Sequence, residues 1–325
     1  MNQDELVMIS LNQLVPENHQ YRKFKSVWNL KPIEKILAPL QPNGKFEGFG
    51  IVKIFLCLLI QFMEDLSDRE LERFICENNA ARWFAKFKLL DKTPDHTVFC
   101  KARKKIGTKI LSDIFANLRN QLKSRGLINE TFSFIDATHL ISKSQLWEER
   151  DKAIAQKYEK LNNTNVSKFS ADREARFGCK GSTKFWYGYK KQISVDMQSG
   201  LINKVAIRPA NEPDANGLKN VCPSFGAVYA DKGYCTKKSQ AAAAKKMVHL
   251  AAIKKNNMKG KIFDLDKFYS HIRAPYERIF SKESKRVKYK GLVKNQFAAF
   301  MQAICLNAKR LITLLDPCHM KLIVR

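Results

Sequence analysis

The sequence contains no group of cysteine or histidine residues of the kind that holds a metal ion or builds a disulfide framework. Its eight cysteines form no Cys-x-x-Cys pair, and its six histidines are scattered along the chain. No P-loop and no dinucleotide-binding glycine motif occurs, so neither nucleotide hydrolysis nor hydride transfer is indicated. We therefore expect reduced, structural cysteines and a protein that uses no nucleotide cofactor.

Long hydrophobic runs are also missing. The longest one, Ile54 to Ile60, lies between Lys53 and Gln61 and is too short to cross a bilayer, so it predicts a core helix. The segment from Met1 to Val15 is polar and acidic, which is unlike a secretory signal. These absences predict a cytoplasmic protein that does not enter a membrane.

Acidic residues are scarce relative to basic ones. The chain has 58 Lys and Arg against 31 Asp and Glu, a formal charge of +27, and the basic residues are spread along it. A surplus of this size indicates a polyanionic partner, with nucleic acid as the first candidate. An anionic membrane is the alternative, but no Lys-rich amphipathic helix or lipidation motif supports it.

Residues 1–127 have helical periodicity and are interpreted as an all-helical amino-terminal domain. Ile51 to Met63 predicts one apolar helix, and Ser67 with Glu70 has the spacing of a capping box. Two further helices are predicted, from Thr93 to Ile106 and from Ile110 to Leu122.

The last two of these helices are joined by a short glycine-containing turn, and the first carries Arg103, Lys104 and Lys105. A helix-turn-helix that contacts DNA through these residues is one interpretation. Two packed helices with a solvated basic face are the other, and the pattern is compatible with both. We assign residues 1–127 to DNA binding or assembly as a prediction.

Residues 128–325 mix strand and helix patterns. The predicted strands cover 132–135, 185–195, 201–207, 227–230 and 248–253, and the predicted helices cover 146–161, 213–218, the region of Glu277 and 297–315. This order of elements is that of an RNase H-like fold, an α/β (α+β) architecture with a mixed sheet flanked by helices. We therefore interpret 128–325 as an RNase H-like domain that ends in a core helix packed on the sheet.

Three acidic residues stand at corresponding places in this pattern. Asp136 and Asp231 each follow a short apolar strand, and Glu277 lies on a helix beside an apolar stripe. A single aspartate of this kind would be read as a turn cap, but three acids that converge repel one another unless a cation neutralises them. Carboxylate oxygens suit Mg²⁺ or Mn²⁺.

Segments around these acids match the pattern of a known family. They read FIDATHL, FWYGYK, VDMQSGLI, IRPANEPDANGL, YADKGY, IRAPYERIF, KYKGL and LNAKRL, and ahead of them stand LVPENHQYRKF, DLSDRELERF and TPDHTVFCKARKKIG. The chain resembles the DDE transposases of bacterial insertion sequences, in particular insertion-sequence family five, from about Leu14 to Leu311.

The resemblance implies that Asp136, Asp231 and Glu277 are the catalytic residues and hold two Mg²⁺ ions, which Mn²⁺ can replace. It implies cleavage that leaves a 3′-hydroxyl and attack of that hydroxyl on target DNA. The implied partners are double-stranded DNA, as terminal inverted repeats and as target, and further copies of the chain in a homo-oligomer on the DNA. The implied location is the bacterial cytoplasm, at the nucleoid when DNA is bound.

Basic residues are dense just after Glu277. They include Lys282, Lys285, Arg286 and Lys288, with Glu283 as the acid among them. We assign DNA contacts to Lys285, Arg286 and Lys288, and also to Arg273. Two other functions stay open: a metal-dependent nuclease of the same fold that cuts without joining, and a catalytically inactive, DNA-binding relative of a transposase.

Overall fold

The chain forms two units. The computed structural model describes residues 8–41, 48–144, 146–181, 183–279 and 284–315. One unit comprises residues 1–121 and 304–325, and the other comprises residues 122–303. The functional roles assigned above to 1–127 and 128–325 stay predictions.

The first unit is helical in its described residues. Its helices are α1 (Leu11–Leu14), α2 (Gln20–Val27), α3 (Lys31–Leu37), α4 (Ile51–Met63), α5 (Asp68–Glu77), α6 (Asn79–Phe84) and most of α7 (His96–Ser124). The predicted helix from Ile51 to Met63 is confirmed as α4, which buries almost its whole length because nearly all of its residues are apolar.

Local signals in the sequence set two helix ends in this unit. The Glu70 amide donates to Ser67 Oγ at 3.3 Å, and the Ser67 amide donates to the Glu70 carboxylate at 2.7 Å, which confirms the capping box. α7 is broken at Gly107, whose φ of 62° and ψ of 179° suit glycine and few other residues. The break predicted between the helix that ends at Ile106 and the helix that begins at Ile110 is therefore present.

The second unit is built on one mixed sheet. Its strands are β1 (Phe132–Ile141), β2 (Arg176–Lys180), β3 (Lys184–Asp196), β4 (Ile202–Pro209), β5 (Ala227–Ala230) and β6 (His249–Ala252). β1 is central, antiparallel to β3 on one side and parallel to β5 on the other, while β4 pairs with β3 and β6 with β5. The order β4-β3-β1-β5-β6 is that of the predicted RNase H-like sheet.

Helices accompany this sheet. They are α8 (Trp147–Ala155), α9 (Val166–Phe169), α10 (Asp214–Val221), α11 (Lys237–Ala244), α12 (Phe263–Glu277) and the first part of α13 (Leu292–Leu314). α10 and α11 cover one face, where Leu218, Val221 and Ala243 form a buried cluster with Ile135 and Val228. This cluster anchors the strands that carry the acidic residues.

β1, β2 and α8 differ from the sequence prediction. β1 does not stop near Asp136 but continues to Ile141, because β3 pairs with it as far as Gly188. β2 was not predicted, since RFGCK has charged ends, yet it pairs along the first five residues of β3. The helix predicted from Leu146 to Leu161 is shorter and ends at Ala155.

α13 contributes residues to both units. Within the sheet unit, Gln296 accepts a hydrogen bond from the Ile207 amide at 2.8 Å, which ties the helix to β4. Within the helical unit, Lys309 donates to the Met63 carbonyl at 3.0 Å. The predicted packing of this helix on the sheet thus holds for its first part.

In the described ranges, no helix combines the length and hydrophobicity needed to cross a membrane. The cysteines in these ranges, at positions 57, 76, 100, 179, 222, 235 and 305, are free, and those at 76, 100 and 179 are exposed.

Candidate active site

The register of two parallel strands brings Asp136 and Asp231 together. Ile135 pairs with Ala230 at the end of the β1–β5 ladder, so the two aspartates occupy the next position on each strand. Side chains alternate along a strand, which places both carboxylates on the face opposite the α10–α11 cluster. Asp136 thus lies where the parallel pairing of β1 ends, although the strand itself continues.

α12 packs on this second face and supplies the third acid. The ring of Tyr276 stacks on Phe134 at 5.8 Å, and the ring of Tyr269 meets Tyr229 at 5.6 Å. Arg273 and Glu277 are four residues apart on α12, so their side chains share one side of the helix. The aromatic contacts therefore aim this side of the helix at the two aspartates.

The guanidinium of Arg273 lies among the three acids. Its Nη2 is 3.7 Å from Asp136 Oδ2 and 3.8 Å from Glu277 Oε1, and its Nη1 is 3.6 Å from Asp231 Oδ1. The sequence predicted that Asp136, Asp231 and Glu277 converge, and the structure brings them to one point. It also places Arg273, a predicted DNA contact, in a buried position between them.

Asp136 has the most unusual environment of the three acids. Burial raises its pKa to about 6, against the hydrogen bond from the Ala137 amide at 2.8 Å and the charge of Arg273, both of which lower it. The negative charges of Asp231 and Glu277 contribute to this upward shift of the pKa, each by less than burial does. A carboxyl group that gains protons so readily is one that a neighbouring cation would stabilise in its ionised form.

The acids open into a cleft of about 620 Å³ that also contains basic and aromatic side chains. Lys190 donates to Asp214 Oδ1 at 2.9 Å on one wall. His139 lies 5.5 Å from the ring of Trp186, and burial together with the charges of Lys285, Lys180 and Lys184 lowers its pKa. Lys190, Asp214 and Trp186 were not predicted as site residues, because their motifs FWYGYK and EPDANGL carry no local chemical signal.

Of the predicted DNA contacts after Glu277, Lys285 lines this cleft and the Arg286 side chain is exposed. The end of β1 fixes their backbone: the Ile141 amide donates to the Lys285 carbonyl at 2.7 Å, and the Val287 amide donates to the Ile141 carbonyl at 3.0 Å. Lys288 is half-buried beside them. Lys282 and Glu283 lie outside the described residues.

The predicted DNA contacts in the helical unit differ among themselves. Arg103 is mostly buried, and its guanidinium donates to both carboxylate oxygens of Asp68, at 2.8 and 2.5 Å. Lys104 and Lys105 are exposed on the same helix. Arg103 is therefore held by the protein itself.

The three acids have the donor chemistry of a divalent metal site. Among residues with described positions, no three His, Cys, Asp or Glu side chains are already arranged to hold a metal ion. The carboxylates point at Arg273, yet three carboxylates with net negative charge are the hard oxygen donors that Mg²⁺ and Mn²⁺ prefer. By donor type and convergence, Asp136, Asp231 and Glu277 fit such an ion.

Comparisons with known proteins place the chain in a family. Residues 9–105 match the family described as transposase domain (DUF772), and residues 130–308 match the transposase DDE domain. No curated protein matches the chain. A solved structure, the cryo-EM structure of a piggyBac transposase synaptic complex with hairpin DNA, aligns with a TM-score of 0.43 and 8% identity over 91% of this chain and 75% of that chain.

The DDE-domain match covers more than half of the chain and includes all three acids. Together with the match to the first helical region, it confirms the family that the sequence motifs resemble, while membership in insertion-sequence family five stays a prediction. The chain belongs to the DDE transposases.

Proposed function

We propose that this transposase cuts DNA and joins its 3′-hydroxyl ends to target DNA in the cleft that contains Asp136, Asp231 and Glu277. The observation that carries the proposal is the convergence of these carboxylates, from two strands and a helix, on one guanidinium. In this proposal they hold divalent metal, two Mg²⁺ ions that Mn²⁺ can replace.

Metal ions bound there would supply a nucleophilic oxygen at neutral pH and neutralise the leaving oxygen of the phosphodiester. The protein chain itself orients the carboxylates. The Ala137 amide fixes one oxygen of Asp136, and the β1–β5 register fixes the distance between the two aspartates. The proposal requires no nucleophilic side chain and no covalent protein–DNA intermediate.

The basic residues of the cleft give the DNA a path to these acids. Lys285 and Lys180 line the cleft, the latter at the end of β2, and Arg286 and Lys288 come shortly after Lys285 in the chain. Lys and Arg that contact phosphates bind DNA of any sequence and set its position. Transposition joins two element ends, so we propose that at least two copies of the chain assemble on the DNA.

A strand-joining assay with pre-cut DNA ends tests this function. Incubation with Mg²⁺ should cut element-end DNA and join the pre-cut ends to a target duplex, and Mn²⁺ should support the same products. Cutting without joining would favour a nuclease of the same fold, and binding without either reaction would favour an inactive relative. The terminal repeats that flank the coding region are the appropriate substrate.

A further inference from the structure

Arg273 differs from the other basic residues of the cleft because it is buried. Its side chain is 5% exposed, whereas those of Asp136, Asp231 and Glu277 are 23%, 52% and 57% exposed. The carboxylates therefore face the cleft, and the guanidinium lies on their protein side. Arg273 lines the cleft, but only a small part of its side chain is accessible to a DNA backbone there.

Charge, more than hydrogen bonding, holds the guanidinium in place. Its distances of 3.6 to 3.8 Å to the three carboxylates exceed those of direct N–H···O hydrogen bonds. Its buried Nε has no hydrogen-bond partner within the part of the chain that the structure describes. The Phe134 ring, 5.6 Å away, adds a weak attraction. A cation so poorly hydrogen-bonded stays buried only because anions neutralise it.

We propose that Arg273 is the internal counter-cation of the three carboxylates and that it lowers their affinity for divalent metal ions. The inference rests on the proposed function, since it concerns how the proposed metal site is loaded. The guanidinium keeps the acids together when no other cation is near, because it offsets their mutual repulsion. The same positive charge repels an incoming cation and weakens its binding.

Two other roles for Arg273 make different predictions. If Arg273 and Glu277 formed only an ordinary ion pair on the helix surface, breaking that pair would leave metal affinity almost unchanged. A residue that only orients the carboxylates for metal would make binding weaker when it is removed. A counter-cation makes binding tighter when it is removed, so the sign of the change separates the three roles.

The experiment measures Mn²⁺ binding to the full chain without DNA, by electron paramagnetic resonance of free Mn²⁺, together with the melting temperature with and without Mn²⁺. The variants are Arg273→Gln, which removes the charge, and Arg273→Lys, which keeps it. Lys285→Gln is the matched control. It removes a cation that lines the same cleft, whereas the ion pairs of the three acids among the described residues are with Arg273. Asp136→Asn tests whether these acids bind the ion at all.

We expect Arg273→Gln to bind Mn²⁺ at least ~10-fold more tightly than the wild type, since a full charge close to all three ligands is lost. Without Mn²⁺, its melting temperature should be lower than that of the wild type. Added Mn²⁺ should raise the melting temperature of this variant by more than it raises that of the wild type. Arg273→Lys and Lys285→Gln should stay within about 3-fold of the wild type, since the first keeps the charge and the second removes a cation that is not ion-paired with the ligands.

Equal or weaker Mn²⁺ binding by Arg273→Gln would overturn the inference. If that variant is unfolded without metal, saturating Mn²⁺ should restore the fold, and failure to do so would also overturn it. The proposed metal site fails separately, if Asp136→Asn binds Mn²⁺ as well as the wild type does.

Discussion

Asp136, Asp231 and Glu277 can each be tested by removing one negative charge and keeping the shape of the side chain. We expect Asp136→Asn, Asp231→Asn and Glu277→Gln to abolish both cutting and joining, because a magnesium site with few carboxylates cannot lose one. DNA affinity should persist, since it depends on Lys and Arg that these changes leave intact. Strand-joining and filter-binding assays on the same preparations measure both properties.

Glu277→Gln is the most informative of these variants, because Glu277 is the most exposed of the three acids. Glu283→Gln is its control and should keep normal joining; Glu283 lies outside the described residues but is the next acid along the chain. If Glu277→Gln joined strands at the normal rate while the aspartate variants were inactive, the third ligand would be another acid.

Glu130 is a buried acid that should make stability depend on pH. Burial raises its pKa, but hydrogen bonds from Lys123, the Ser224 amide and Asn203 outweigh this effect and lower the pKa to about 2. Because the folded pKa is below the unfolded one, the stabilisation is complete above pH ~4.3 and is lost as pH falls towards about 2.

We therefore expect Glu130→Gln to lower the free energy of unfolding by about 2–3 kcal/mol at neutral pH and by much less near pH 2. Urea denaturation at several pH values measures this difference. Glu148→Gln, at an exposed glutamate, is the control and should change little. An effect of Glu130→Gln that did not shrink with falling pH would mean that packing, not charge, is what the glutamate contributes.

The role of Arg273 could not be read from the sequence, although its position could. A spacing of four residues to Glu277 on a helix is also that of an ordinary surface ion pair. Asp136 and Asp231 reach the same guanidinium because β1 pairs with β5. That pairing joins residues far apart in the chain, so the sequence pattern does not show it. The three acids were predictable because each follows or lies on an element with clear periodicity.

At the scale of elements, the pairing of β1 with β3 depends on Gly188. Its φ is 155°, and a Cβ atom there would lie 2.0 Å from the Leu140 carbonyl oxygen. We expect Gly188→Ala to destabilise the protein by ~3 kcal/mol or more, because backbone atoms cannot move aside. Thermal unfolding should show a lower melting temperature.

Gly181→Ala is the comparison for this change. Gly181 also has a positive φ, but a Cβ there meets nothing within 4 Å, so its cost should be only about 1 kcal/mol. A similar loss of stability at the two positions would show that the paired strands β1 and β3 relax around the new methyl group.

The segment after Glu277 should bind DNA without performing chemistry. Replacing Lys285, Arg286 and Lys288 with Ala should weaken binding to all sequences alike and reduce the slope of log affinity against log salt by about 3. Replacing Lys237, Lys238 and Lys245 removes the same charge from exposed positions that do not line the cleft, and should have a smaller effect. Equal effects would mean that overall charge alone governs binding.

Elements with strong internal periodicity were predictable and those held by their neighbours were not. α4 and the capped α5 follow from apolar runs and a capping box. β2 has one buried residue, and its strand form depends on its pairing with β3. The second half of β1 is likewise fixed by β3 and by the backbone at Lys285, not by its own polar sequence.

At the scale of the whole molecule, the charge of +27 should dominate association with DNA. We expect affinity to fall roughly 10³-fold or more between ~50 and ~200 mM salt, because each neutralised phosphate releases a counterion. Titration of fluorescent duplex DNA at several salt concentrations measures the slope. A nearly flat dependence would contradict a polyanionic partner.

Each residue of β5 pairs with one residue of β1, so the gene does not tolerate the insertion or deletion of a codon in these strands. Adding or losing one codon between Phe132 and Asp136, or between Ala227 and Asp231, turns one aspartate to the opposite face of the sheet, among Leu218 and Val221. Such a codon change keeps the reading frame and every acidic residue, yet it separates the two carboxylates. A copy that has drifted in this way would look intact in a genome while being unable to move.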